Sequence, residues 1–200
     1  MAVFTYKYRI GLNDVNLSNK IKNKSILKVL ENGGGMHSES VGYGLNNMEK
    51  TNISWILLAW KVKVISRPKY NEEIKINTWA RSFSRISTYR DFEVYDEQGN
   101  LCIIATSKWT SINIKEGKLT EPTQEIIDAY QCEEKNVFED GNIAKLKEPA
   151  QFESKTEYVI SRRDIDINNH VHNLYYLDYA YEALPEEVYR AEECNNIEIM

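Results

Sequence analysis

Between Ile53 and Ile114 the chain passes through four strand-like segments with no helix among them, and this run constrains the fold more than any other feature. The segments are Ile53 to Ser66, Glu73 to Arg81, Ile86 to Tyr95 and Leu101 to Ile114. In the first, Trp60, Val62 and Val64 alternate with Lys61, Lys63 and Ile65, the period of an antiparallel strand buried on one face. Asp96-Glu97-Gln98-Gly99-Asn100 is turn chemistry and predicts a hairpin between the last two segments. Ahead of the run, Val3 to Ile10 alternates as a strand, and Ile26, Leu27, Val29, Leu30 and Met36 fall at helical spacing. Gly33, Gly34 and Gly35 sit inside that helical pattern, where each costs about 1 kcal/mol against alanine. Either the helix ends there, or a neighbour packs too closely for a side chain. One strand, one long helix and then uninterrupted strands make an α+β pattern, with an antiparallel sheet wrapped around a central helix.

Beyond the sheet, Gln124 to Tyr130 reads as a short surface helix, and residues 131–150 as a charged linker lacking periodic apolar positions. The opening order then recurs. Lys155 to Ser161 is strand-like, Asn173 to Leu184 is helical, and Asn196 to Met200 starts another alternating run. The expected organisation is a first unit over residues 1–130, a linker over 131–150, and the start of a second unit over 151–200, cut short. A helix with two short strands buries too little to stand alone. Its last strand would leave an open edge, which a neighbouring chain could complete in a homodimer.

A net charge of -5 excludes generic attraction to nucleic acid or to anionic membranes. An acidic partner would need a local basic patch, for which Lys61, Lys63, Arg67 and Lys69 are the candidates, although a solvated strand face explains them equally well. The longest apolar run, Ile53 to Trp60, is too short to span a bilayer, and the N-terminus lacks the basic-then-apolar pattern of a signal peptide. Cys102, Cys132 and Cys194 are odd in number and widely spaced, as expected of reduced thiols in a cytoplasmic protein.

Chemistry-bearing residues concentrate in DIDINNHVHN, Asp164 to Asn173, which holds two of the three histidines, His170 and His172. If Asp164 to His170 is extended, Asp164, Asp166, Asn168 and His170 share one face. Histidine moves protons near neutral pH, an aspartate can orient it, and an asparagine amide or a helix start can donate to a developing oxyanion. The segment also matches the start of a calcium loop, but Asn169 stands where glycine is needed and Tyr175 where glutamate is needed. A metal held by His170 and His172 lacks further ligands. On the local pattern alone, an Asx-rich turn capping the next helix is the simpler reading. His37 reads as a polar position on the first helix.

RRDIDINNHVHNLYYLDY, Arg162 to Tyr179, resembles the hallmark of bacterial and plant acyl-ACP (acyl carrier protein) thioesterases. In that family an arginine pair leads into Asp-x-Asn-x-His-Val-Asn-Asn and then a helix. Asn52 to Trp79 is similar to the family's first-domain strands, and Ala105 to Ile126 to the strand and exit that close that domain. The resemblance implies tandem hot-dog folds, each an antiparallel sheet around a central helix, the second incomplete. It places the catalytic Asp, Asn and His on Asp166, Asn168 and His170, and puts His172 where plant members often have asparagine. It implies hydrolysis of fatty acyl-ACP to free fatty acid and ACP in fatty acid biosynthesis, with no metal and no organic cofactor. The carrier is acyl carrier protein, the same pantetheine arm on coenzyme A being an alternative. A non-catalytic acyl-binding or interaction module is a further alternative. A further acidic residue of the family, aligned on His170, falls a few residues beyond Met200. Glu192-Glu193-Cys194 imitates that site but precedes the strand.

Overall fold

The strand expected at the start is β1, Phe4–Arg9, and a 3-10 turn at Leu12–Asp14 leads from it into helix α1, Asn23–Ser40. The short α2, Met48–Thr51, precedes β2, Ile53–Val64, β3, Glu73–Ala80, β4, Ser87–Tyr95, and β5, Leu101–Asn113. Then follow β6, Lys118–Leu119, and α3, Gln124–Tyr130. A second 3-10 turn at Arg162–Asp164 opens the last part, with α4, Asn173–Glu182, α5, Glu186–Ala191, and β7, Asn196–Ile199. The structure is a computed structural model that describes residues 2–81, 83–152, 155–191 and 193–200, the side chain of residue 191 excepted.

The strands form one sheet in the order β1-β3-β4-β5-β2-β7, with β6 beside β5, and every pairing is antiparallel. The α+β expectation of a helix against an antiparallel sheet holds. Helix α1 presents Ile26, Leu27, Val29 and Leu30 to the sheet, where they are buried with Trp60, Ile74, Ile76, Phe92, Val94 and Ile103. Truncating one of these, as in Leu27→Ala, removes contacts worth about 2–5 kcal/mol.

Helix α1 runs through its three glycines, and the reason is close packing at two of them. A Cβ on Gly33 would lie 2.6 Å from the Tyr6 ring, and one on Gly34 would lie 3.3 Å from Arg90 Cδ. Gly35 faces open space. The Tyr6 hydroxyl then reaches across the helix and donates to the Val29 carbonyl.

The second part joins the first part's core and sheet. Leu174 of α4 and Ile197 of β7 are buried in the same apolar cluster as α1. Helix α4 runs antiparallel to α1, with Lys24 paired to Asp178 and the Asn23 amide donating to Tyr181 Oη at 2.5 Å. Strand β7 pairs with β2 from Trp60↔Ile199 to Lys63↔Asn196.

Two of the expectations need correction, and two others gain buried contacts. Residues 155–160 have no ladder partner among the described residues, and Val159 is 94% exposed, so they form no strand there. Helix α3 lies at the surface as expected, with Gln124, Glu125 and Asp128 exposed, and buries Ile126 and Tyr130 on its inner face. Linker residues 133–137 are pinned to the back of the sheet. There Glu133 N–H donates to the Ala80 carbonyl (2.9 Å), Trp79 Nε1 to the Lys135 carbonyl (2.9 Å), and Val137 N–H to Asp91 Oδ2 (3.1 Å). Finally, His37 is fully buried, stacked on Phe4 with its Nδ1 2.9 Å from Arg90 Nη1.

Candidate active site

The segment from Ser161 to Asn173 folds into a closed loop, the Asx-rich turn that the local pattern favours over an extended strand, with His172 as the cap of the next helix. Asp166 N–H donates to the His170 carbonyl (2.8 Å), Ile165 bridges Val171, and Asn169 takes a left-handed φ of 60° to turn the chain. Asp164 therefore does not share a face with Asp166. Its Oδ2 accepts the Ser161 N–H at 2.8 Å, and that backbone bond above all holds its carboxyl below the usual range. Asp166 Oδ1 accepts two backbone N–H groups, from Asn168 (2.8 Å) and His170 (3.1 Å). Burial would push the Asp166 carboxyl up, but these N–H donors together outweigh it and hold it low. Asp166 thus fixes its neighbours through the backbone and does not touch the imidazole.

The two histidines are held in opposite tautomers. His170 Nδ1 lies 2.7 Å from the Asn168 carbonyl oxygen, which can only accept, so Nδ1 carries the proton and Nε2 keeps the lone pair of the neutral ring. His172 caps α4, its Nδ1 accepting the Leu174 N–H at 3.3 Å, so the proton of its neutral ring is on Nε2. His172 Nε2 faces Glu31 Oε1 of α1 at 3.6 Å.

Asp166, Asn168 and His172 line one wall of a cleft of about 1120 Å³, and Glu31, Gly34, Gly35 and Met36 of α1 line another. His170 is exposed and lies outside that lining. Trp55, Phe83 and Tyr130 gather at ring-centroid separations of 5.8–6.3 Å and line the cleft too. Arg90, 6% exposed, also lines it, and burial lowers the guanidinium's pKa. An apolar trough with a few convergent polar groups is the usual form of a small-ligand site. Among the described residues, no cluster of three or more His, Cys, Asp or Glu could hold a metal, and no helix is long and apolar enough to cross a membrane.

Sequence reasoning missed a repeat of the loop itself. GLNDVNLSNKIKN, Gly11 to Asn23, matches SRRDIDINNHVHN, Ser161 to Asn173, residue for residue in geometry. Asp14 Oδ2 accepts the Gly11 N–H (2.9 Å), Asn16 Oδ1 accepts those of Ser18 and Lys20 (both 3.0 Å), and Asn19 has φ 61°. The signal was legible as a shared Asp-x-x-x-x-Asn-x-x-x-Asn with apolar residues between. Glu31 was also missed, because its partners arrive from a distant part of the chain.

Two other candidates are structural. Lys61 Nζ is tied to Asp140 (2.6 Å), and Arg67 donates to the carbonyls of Ile21 and Cys194 (both 2.9 Å), so half of the suspected basic patch is engaged within the chain. Glu192 lies outside the described residues, and Glu193 is paired with Lys20 at 2.6 Å.

The acyl-ACP thioesterase N-terminal domain family model matches residues 1–130, and that of the C-terminal domain matches residues 146–200. The chain is 27% identical over 208 residues to the chloroplastic oleoyl-acyl carrier protein thioesterase of Coriandrum sativum, covering 96% of this chain and 56% of that protein. It is 28% identical to the chloroplastic oleoyl-acyl carrier protein thioesterase 1 of Arabidopsis thaliana, covering 93% and 54%. The chain thus spans just over half the length of these curated relatives. Among solved structures, the 12:0-ACP thioesterase from Umbellularia californica superposes with a TM-score of 0.82 at 21% identity, covering 99% of this chain and 81% of that one. An acyl-ACP thioesterase from Bacteroides thetaiotaomicron gives 0.77 at 23% identity, covering 98% and 79%. With both domain models matched in order along the sequence, the chain belongs to the acyl-ACP thioesterase family.

Proposed function

We propose that this chain hydrolyses the thioester of a fatty acyl-ACP, releasing free fatty acid and the carrier's thiol. The observation that carries the reading is the cleft, in which an aromatic trough and the Asp166–Asn168 loop line the same space. In this reading residues 1–130 form a first hot-dog unit that holds the acyl chain. Residues 131–150 link it to a second unit beginning at 151, which brings the reacting groups. The Asn168 amide and the positive end of the α4 dipole polarise the thioester carbonyl, where electrostatic stabilisation is worth most. His170 moves a proton through Nε2, the nitrogen left with a lone pair. Asp166 is a positioning residue, acting through the N–H groups of Asn168 and His170.

The test is fatty-acid release from acyl-ACP of several chain lengths, with acyl-CoA alongside, for the wild-type chain, Asn168→Ala and His170→Ala. Losses of about 10²-fold or more in each variant support the roles given; unchanged rates remove them. A second reading, acyl binding without turnover, is favoured by one observation, that His170 does not line the cleft. It predicts that acyl-ACP binds and remains intact.

A further inference from the structure

Glu31 sits in the middle of α1, directly across the cleft from the loop. Its side chain is 25% exposed, its Oε1 is 3.6 Å from His172 Nε2, and it lines the same space as Asp166 and Asn168. The internal repeat supplies a control for this arrangement. Helices α1 and α4 start at matching positions of the two loops and cross antiparallel, so each loop faces the other part's helix. On the opposite side of that crossing Lys22 stands at the counterpart of His172, and Tyr181 at the counterpart of Glu31. Asn16, Ser18 and Lys20 stand there for Asp166, Asn168 and His170. Two equivalent places exist, and the carboxylate on the helix, the imidazole at the cap and the loop carboxylate occur together at only one of them.

We propose that Glu31 is a catalytic residue of the hydrolysis proposed above, the base that activates water, with the His172 ring facing it at 3.6 Å as its positioning neighbour. The inference rests on the hydrolase reading and, because His170 lies outside the cleft lining, moves the proton transfer given there to His170 onto Glu31. The Glu31 carboxylate takes a proton from water as the water oxygen bonds to the thioester carbonyl carbon and the C=O π pair moves onto oxygen. When that pair returns, the C–S bond breaks and the sulfur takes the proton held on Glu31. Carboxylic acid and thiol leave, and Glu31 is again a carboxylate.

The charged groups facing Glu31 are His172 and Asp166, both from the loop; Lys28, one turn earlier on α1, is turned toward Asp14 at 2.6 Å. Burial raises the Glu31 carboxyl above its ordinary value, Asp166 raises it further, and His172 opposes both. A raised carboxyl is the better proton acceptor near neutral pH, whereas Asp166, held low and bonded to the backbone, is the poorer one.

The experiment is steady-state release of fatty acid from acyl-ACP across pH, with wild type, Glu31→Gln and His172→Asn, together with a carboxyl carbon-13 NMR titration of Glu31. Glu31→Gln is expected to lower kcat about 10²- to 10⁴-fold with KM nearly unchanged and to remove the acidic limb of the kcat profile. The Glu31 resonance is expected to titrate above the ordinary glutamate range, and higher still in His172→Asn. An active wild type with an equally active Glu31→Gln overturns this proposal alone, as does a Glu31 that titrates like a surface glutamate. A wild type inert toward both acyl-ACP and acyl-CoA overturns the hydrolase reading, and this proposal with it.

Discussion

Asn16 and Asp166 do the same structural work with different chemistry. Each closes its loop by accepting two backbone N–H groups on Oδ1, at 3.0 and 3.0 Å for the amide and at 2.8 and 3.1 Å for the carboxylate. Asn16 therefore demonstrates, within one molecule, that an amide suffices to hold this loop.

The first prediction follows directly. Asp166→Asn folds normally and loses about 1 kcal/mol at neutral pH, the difference between charge-assisted and neutral hydrogen bonds. Because the Asp166 carboxyl is held below its ordinary value, the stability it adds is present above the unfolded pKa and lost as pH falls through the folded one. The gap in melting temperature between wild type and variant should thus close on acidification. Turnover should stay within about tenfold of wild type, equivalent to about 1.4 kcal/mol. A larger loss with an intact fold would place the carboxylate itself in the reaction.

Glu31 has the opposite sign. Its folded pKa lies above the ordinary 4.5, so its stabilising effect is complete below the unfolded pKa and is lost as pH rises through the folded value. Glutamine mimics the protonated form. Glu31→Gln should melt higher than wild type at pH 7 to 8 and level with it near pH 4. Thermal melts across that range check this, and a gap that widens toward acid would contradict the burial of the carboxylate.

The glycines of α1 should separate by what faces them. Gly35→Ala meets nothing within 4 Å and should stabilise the helix by about 1 kcal/mol. Gly33→Ala gains the same propensity but drives a methyl into the Tyr6 ring, so overpacking of about 1–3 kcal/mol prevails and the variant melts lower. Denaturant unfolding of the pair is the measurement, and equal shifts would mean that Tyr6 yields freely.

Asp91, fully buried, accepts from Thr106 Oγ1 at 2.6 Å and from Val137 N–H at 3.1 Å. Asp91→Ala strands both donors, which costs about 1–3 kcal/mol, and frees one of the points that pin the linker. Limited proteolysis should cut first around residues 133–140 in the variant, ahead of wild type. Identical cleavage patterns would show that Trp79 and Ala80 hold that segment alone.

The sheet was legible because its signal is local. Trp60, Val62 and Val64 alternate against lysines, and Asp96 to Asn100 turns the chain, so the strands could be placed within a few residues of their ends. Helix α1 was legible in its apolar face but not in its length, because the partners of Gly33 and Gly34 come from β1 and β4. The loop was legible as an Asx-rich turn, since Asp and Asn bond readily to their own backbone, but its closure was not. The Asp166 carboxylate accepts two N–H groups of its own segment, from Asn168 and from His170, and so closes the turn. Glu31 was invisible as chemistry, since a half-buried glutamate on a helix gains its meaning only when His172 is folded against it. Residues 155–160 carried strand-forming side chains, yet β-propensity alone does not supply a pairing partner.

The four-residue ladder between β2 and β7 joins Trp60 to Ile199 and Lys63 to Asn196, the most distant pairing along the chain in this sheet. Lengthening a loop weakens an equilibrium only slowly, but distant pairings slow the search for the native state. Until β7 arrives, the outer side of β2 is a row of unpaired backbone groups open to another chain. Charged residues along an exposed strand are a common guard against such pairing. Lys61 and Lys63, on the stretch of β2 that β7 covers, put positive charge where a strand of another chain would otherwise pair.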